Sequence, residues 1–498
     1  MRKKLVLFLL PLVSLMPVFS MASAKLDFAT VDMLTYRCYQ EQKWDSVIAV
    51  GKQALRQDID YYYLRVRMGI SYYRKSEYLP AIAHLEKARQ FNSGDPVAGN
   101  YLYRAYCLTN RNEEALLLRA SMPAGDRDTT GSETGIVEQV HFESGYTLSS
   151  DRNPKDIPTL AGKDSIYGGR DLYGNSFYAS LGLRLRVSDR IGLSLSYNYL
   201  DFTKTRYIQY GRAEAHRDSV SRQFFSNDYF YSYPWTMHDT SFRYHVTQHE
   251  AYAGVTIVLP WGLRVMPAVH WINDRYKVIT TTYRTDSITD TAYYLKRDST
   301  YHLFRYPLLV YNYTEKDTSF NNWVVSLRVS KELGRVNLSL SGSWSNLNGK
   351  TQKQAGASVT YYPFGNFNFY GTTSATGFFQ GKTSRLLLSQ VIGGRITHWM
   401  WGEANFYNGD YTNANIFNGS VVYNNSDIID YRGGATLVFM AGKHLQLSLI
   451  WQYFKKESQQ YYYIKTVNPD THAVKEVLQT KNNPYTTNTI IGGITWKL

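Results

Sequence analysis

Few residue pairs in this 498-residue sequence are placed to do chemistry. His249-Glu250 begins like a zinc-binding helix motif but lacks the second His and sits in a strand pattern. No Ser lies in a nucleophile-elbow context, and Gly393-Gly394 reads as a strand pair rather than a phosphate loop. His270 and His141 fall on inward strand positions, where a cross-strand acid or Ser would make either a base; a hydrogen-bonded lumen residue is the simpler reading. The expectation is a non-enzyme, with no catalytic residue, metal ligand or cofactor.

One set of side chains does stand out. Arg184, Arg186, Arg264, Arg328, Arg385 and Arg432 all take the inward face of their strands, against few inward acids such as Glu143 and Glu403. A basic lumen would select anionic solutes or polymers, since rings of charge set pore selectivity. The competing expectation is that the guanidinium forks pair with lumen carboxylates and loop acids and brace the wall.

The elements that must hold these arginines are strands. Ile191, Leu193, Leu195, Tyr197 and Tyr199 alternate with Gly192, Ser194, Ser196 and Asn198, and the same period of two recurs at 336–345 and 445–453. Tight turns fall at 188–190, 260–262, 333–335, 364–366, around Thr397 and at 441–443. Long polar loops are expected near 149–174, 205–240, 285–317, 408–426 and 455–485, with short ones near 347–350 and 380–382. Short turns on one side and long loops on the other are the pattern of an outer-membrane barrel. The count is fourteen strands: about 136–148, 175–187, 191–204, 241–259, 262–283, 318–332, 335–346, 351–363, 366–379, 382–395, 398–407, 428–440, 443–454 and 486–498. Twelve or sixteen would fit the same pattern. Ile490, Gly492, Ile494, Trp496 and Leu498 give the last strand one apolar face, as in barrel insertion signals, with Leu in place of the usual terminal aromatic. Two aromatic runs, 229–235 and 461–463, are either sugar- or protein-binding loop residues or the rims of strands that continue past the membrane.

The N-terminal quarter has a different period. Arg2, Lys3 and Lys4, an apolar run from Leu5 to Phe19 and Ala22-Ser23-Ala24 make residues 1–24 a signal peptide, with Lys25 as the expected mature start. Beyond it Cys38, Tyr72 and Tyr106 are spaced by 34, as are Trp44, Tyr78 and Asn112. Gly69, Tyr72, Tyr78, Ala81, Leu85 and Ala88 stand where a helical repeat packs small against bulky residues, so that residues 25–122 resemble tetratricopeptide repeats. That resemblance implies a concave partner-binding face, or else a plain structural spacer or plug. Cys38 and Cys107 are expected to be separate buried thiols, too far apart to bridge. Residues 123–135 read as a linker and 136–498 as the barrel.

The 44 Tyr, 22 Phe and 10 Trp suit interfacial girdles, and a mean hydropathy of −0.38 is what alternating strands average to. The net charge of +14 falls to +11 without Arg2, Lys3 and Lys4, and no Lys/Arg run marks a nucleic-acid footprint. The whole arrangement resembles outer-membrane proteins that join a short tetratricopeptide domain to a barrel, such as YaiO-type proteins and surface lipoprotein assembly modulators; exporters of secreted polysaccharides share it with longer arrays. The resemblance implies a barrel in outer-membrane lipid, a helical domain in the periplasm receiving a protein partner or cargo, and export or assembly of a surface lipoprotein or polysaccharide. The alternative is a non-catalytic, partner-binding scaffold with a plugged barrel. An open lumen supports the first, an occluded lumen the second, and a cross-strand Ser/His/acid cluster would point to an enzyme.

Overall fold

The computed structural model describes residues 26–123, 135–152, 165–213, 216–218, 229–232, 235–295, 300–442, 444–467 and 474–498. The expected leader, most of the expected linker and the tips of four long loops lie outside the described residues. Six helices come first: α1 Phe28–Gln40, α2 Trp44–Arg56, α3 Tyr62–Arg74, α4 Tyr78–Phe91, α5 Pro96–Leu108 and α6 Asn112–Ala120. None of the described helices is long and apolar enough to cross a membrane. Fourteen barrel strands follow: β1 Val137–Ser149, β2 Ser165–Ser188, β3 Ile191–Ala213, β4 Trp235–Leu259, β5 Leu263–Leu295, β6 Thr300–Leu333, β7 Val336–Ser345, β8 Gln352–Tyr361, β9 Phe369–Gln380, β10 Thr383–Arg395, β11 Met400–Asn408, β12 Ile428–Ala441, β13 Leu445–Val467 and β14 Val474–Lys497.

The chain divides into two compact units, residues 1–105 and 106–498, with the break inside α5. The 34-residue period reappears as a turn geometry. Gln42, Ser76 and Asn110 take left-handed φ values of 55°, 60° and 52°. Across each turn an amide reaches back five residues at 2.9 Å: Lys43 to Cys38 O, Glu77 to Tyr72 O and Arg111 to Tyr106 O. This is the hydrogen bond that closes a helix in a Schellman motif, so the spacing of Cys38, Tyr72 and Tyr106 marks one turn made three times.

In the first unit the small residues set helix separation. A Cβ on Gly69 would lie 2.6 Å from Leu85 Cγ, and one on Gly51 would lie 2.4 Å from the Met68 sulfur. Gly69, Tyr72, Ala81, Leu85 and Ala88 are buried and Tyr78 is half-buried. Gly51 stands one period before Leu85, and Met68 fills the space it leaves. Cys38 is a half-buried thiol, whereas Cys107 is an exposed one; α5 turns that position outward, against the expectation of burial.

A polar triad lies in this unit. Arg65 forks onto Asp60, with Nε and Nη2 each donating at 2.7 Å, and its Nη1 is 3.0 Å from His84 Nδ1. His84 stacks on Tyr72 with ring centroids 5.3 Å apart. A guanidinium can only donate, so His84 accepts at Nδ1 and carries its proton on Nε2. Burial, reinforced by the Arg65 charge, lowers the His84 pKa from 6.5 to about 4. The folded state therefore resists a proton that the unfolded chain accepts. Stability is full above pH ~6.5 and is lost as pH falls towards ~4, by roughly 1 kcal/mol per pH unit. Helical ellipticity melts of the full chain at pH 7, 6 and 5 should show this decline, and His84→Gln should flatten it. A slope unchanged in that variant would place its origin elsewhere.

The barrel closes by pairing β1 with β14, from Gln139 opposite Lys497 to Ser149 opposite Thr487, and every other neighbouring pair is antiparallel. Its exposed face is apolar: Leu181, Leu340, Leu386, Ile490 and Ile494 are each at least half exposed on outward positions. Such a surface needs lipid. The barrel is therefore membrane-spanning. Val336 to Trp344 on β7 is roughly 27 Å along a strand, close to the ~25 Å apolar band of outer-membrane barrels. The short turns are local chemistry. Gly334, with φ 61°, opens the two-residue turn between Leu333 and its partner Val336, where a primed hairpin turn requires a left-handed residue.

The fourteen expected strands all appear, but several run far past the membrane. β5 and β6 are 33 and 34 residues long and pair from Leu263 opposite Lys331 out to Leu295 opposite Thr300. Most of the segments taken as loops near 285–317 and 455–485 are thus strand, as are parts of 149–174 and 205–240. Beyond the membrane both faces of a ribbon meet water, so the apolar alternation that reveals a membrane strand is not needed. Tyr229–Ser232 and Tyr461–Tyr463 belong to these extensions. Above the ring β13 also pairs with β2, Tyr463 opposite Tyr167, gathering Tyr167, Ile208, Tyr210, Tyr461 and Tyr463 into one apolar cluster.

Candidate functional site: the occluded lumen

Strand alternation turns one polar face of every strand into the bore, and residues 409–427 fill its middle. This β11–β12 connection does not stand outside. Positive φ values at Gly409, Asn413, Phe417, Asn418 and Gly419 fold it back into a small hairpin, Asn415–Ile416 against Val421–Val422. It is the loop's contacts that place it. On one wall His270 Nδ1 donates to Gly419 O at 2.7 Å, Ser326 Oγ donates to Asn418 O at 2.7 Å, and Asn418 Nδ2 donates to Met266 O at 2.9 Å. On the other, Arg385 pairs with Asp410 and donates to Thr412 O at 2.7 Å, and Tyr411 OH donates to Leu388 O at 3.0 Å. These second contacts are on β10, and the loop itself leaves the wall between β11 and β12; β5, which it reaches, is seven strands from β12 in a ring of fourteen. The loop crosses the bore from wall to opposite wall.

Apolar packing fixes both ends. Val422 packs with Ile272, Val324 and Leu347 on the first wall. Ile416 and Tyr423 pack with a cluster that includes Phe378, Tyr407, Tyr411 and Phe454 on the second. Burying roughly 1.5–3 kcal/mol per large side chain makes this a core built inside the lumen.

A second obstruction lies at the short-turn end. Glu113 and Glu114 begin α6, where the helix dipole favours acids. Glu113 Oε1 accepts from Arg184 Nη2 at 2.6 Å, and Glu114 takes Arg264 Nη2 at 2.7 Å and Nε at 3.1 Å. Arg111 Nε donates to Glu114 at 3.0 Å, and its Nη1 is 3.4 Å from Glu332. All three helix-side residues are buried. Burial by itself would raise the Glu114 carboxyl, but the Arg264 and Arg111 charges more than offset it and hold the pKa below the usual range. The segment is thereby tied to inward residues of β2, β5 and β6.

The six arginines singled out in the sequence are not a free basic ring. Arg184 bonds Glu113 and Glu138, and Arg186 bonds Glu138. Arg264 bonds Glu114, Arg385 bonds Asp410, and Arg432 bonds the Tyr423 hydroxyl while lying over the Tyr407 and Phe454 rings. Among the described residues Arg328 reaches only serine hydroxyls, Ser339 and Ser358, at 3.2–3.3 Å. Bracing, not a bare anion filter, is the arrangement. More cations lie towards the long-loop end that the sequence reading missed. Arg170 pairs with Asp151, and Lys204 and Arg206 share Asp171 at 3.0 and 3.1 Å. Arg170 and Arg206 fell in segments expected to be loop, and Lys204 stood at the last position of an expected strand.

His270 is fully buried, and besides its bond to the loop its Nε2 lies 3.3 Å from Glu250 Oε2. Glu250 also accepts from Asn198 Nδ2 at 2.9 Å. The His249-Glu250 pair is split by the strand, since His249 bonds Tyr197 OH at 2.7 Å on the outside. His141 lies over Gly182, where a Cβ would be 1.9 Å from its ring. Among the described residues no group of His, Cys, Asp and Glu is placed to hold a metal.

No family model matches this sequence, and no curated protein does either. Solved structures do. A Pseudomonas aeruginosa FadL homologue matches with 9% identity over 72% of this chain and 90% of its own, at a TM-score of 0.37. The Acinetobacter baumannii outer membrane protein Omp33 matches with 8% identity over 73% and 100%, at 0.31. The translocator domain of the autotransporter NalP from Neisseria meningitidis matches with 7% identity over 73% and 90%, at 0.28. None of these likenesses carries an argument about activity, which has to come from the lumen itself.

Proposed function

We propose that this chain is a plugged outer-membrane barrel whose helical repeats, of tetratricopeptide type, hold a protein partner in the periplasm. The observation that carries the reading is the 409–427 loop bonded to opposite walls of the bore. On this reading the short-turn end faces the periplasm and the long ribbons face outward, following the usual asymmetry of such barrels. The barrel anchors and displays; it performs no catalysis and needs no cofactor or nucleic acid. The helical unit keeps exposed aromatics beside cations, such as Tyr63 next to Arg67, which suits a protein ligand.

A second reading, export or assembly of a surface lipoprotein or polysaccharide, is favoured by α6. Ion pairs and a short helix are contacts a docked partner could exchange for its own, which would open the short-turn mouth. Affinity capture from detergent-solubilised outer membranes, comparing the full chain with one lacking 26–105, tests the docking role. A defined periplasmic protein should be captured by the full chain and lost with the deletion. An unchanged set of captured proteins would end the docking proposal.

A further inference from the structure

Against the crossing loop the lumen holds a partly open space. It is a cavity of about 310 Å³, walled by β6 to β11 and roofed by Asn415, Ile416, Phe417 and Asn418. About half of its lining residues carry hydroxyls, with Ser341, Ser358, Thr372, Ser374 and Ser389 among them and the Tyr370, Tyr407 and Tyr411 rings beside them; Leu387, Val391, Ile416 and Phe417 add apolar surface. Only two lining residues are charged, Arg328 and Glu403. Arg328 is the one of the six lumen arginines singled out above that has neither carboxylate nor phenol on it. Its Nε and Nη2 make long contacts of 3.2–3.3 Å to serine hydroxyls, and its Nη1 meets no acceptor among the described residues. Glu403 accepts from Tyr370 OH at 2.7 Å through one oxygen.

We propose that this chamber binds a small polyhydroxylated monoanion of the size and chemistry of a six-carbon sugar acid. A guanidinium without an acid partner offers its donors to a carboxylate. The surrounding Ser and Thr hydroxyls both donate and accept, which matches a polyol rather than a bare ion. Glu403 accepts hydrogen bonds from hydroxyls and repels further negative charge, so a singly charged acid fits better than phosphate. The site stands independently of the docking role above, because all of its residues lie in the barrel.

The test is equilibrium dialysis of the full-length protein in detergent against labelled glucuronate, with glucose and inorganic phosphate as competitors. Saturable glucuronate binding is expected, with glucose and phosphate each competing at least about tenfold less well, glucose because it lacks the charge-assisted pair and phosphate because it lacks the polyol and carries more charge towards Glu403. Arg328→Gln should weaken binding by at least the same factor, and Ser358→Ala with Thr372→Val should weaken it without removing the charge. Heat-modifiable gel mobility checks that each variant barrel is folded. Absence of saturable glucuronate binding, equal binding by a folded Arg328→Gln variant, or phosphate competing as well as glucuronate would overturn the proposal.

Discussion

Replacing residues 410–426 by a short Gly-Ser bridge, together with Glu113→Gln and Glu114→Gln, is expected to turn a silent barrel into a conducting one. In the native chain the loop spans the bore and packs an apolar core against both walls, so ions have no wide wet path. A fourteen-strand ring without that loop encloses an aqueous channel, and single-channel conductance in planar bilayers should rise by about tenfold or more. Selectivity should change as well. Deleting Asp410 frees Arg385, deleting Tyr423 frees Arg432, and the two glutamine changes leave Arg184 and Arg264 without Glu113 and Glu114. The opened pore should therefore favour anions in a reversal-potential measurement under a salt gradient. A native barrel already conducting at the variant's level, or a folded variant that stays silent, would show that the loop is not the barrier.

Glu113→Gln with Glu114→Gln, made in the otherwise native chain, should release α6 from the short-turn mouth. The pairs to Arg184 and Arg264 are buried on the helix side, and removing one partner of a buried pair costs about 3–5 kcal/mol, because the remaining charge is left uncompensated. That corresponds to a rise of at least about 100-fold in the open population. Trypsin reports it, since Arg111 is buried and Arg119 half-buried in α6 and its N-terminal turn, and cleavage at both should accelerate while the barrel stays folded. Arg264→Gln, which breaks the Glu114 pair from the wall side, should accelerate cleavage in the same direction. Cleavage rates equal to the native protein's would mean that packing, not these charges, seats the helix.

What could be read in the sequence was whatever is decided locally. The fourteen strands were legible because lipid outside and polar atoms inside impose a period of two, and the tight turns because Gly334 and its counterparts must take left-handed backbone. The 34-residue spacing was legible because the same helix closure occurs at Cys38, Tyr72 and Tyr106. The ribbons beyond the membrane were hidden, since water on both faces removes the alternation. The plug was hidden for a different reason. Residues 409–427 have the composition of any polar outer loop, and their partners lie far along the chain, with His270 149 residues from Gly419. Likewise Glu114 meets Arg264 across 150 residues. The period of two assigns a side chain to the lumen but gives neither its height nor what faces it across the bore. The sequence by itself therefore settled a helical segment followed by a barrel with inward arginines, and only tertiary structure decided that the barrel is closed and that most of those arginines are spent holding it so.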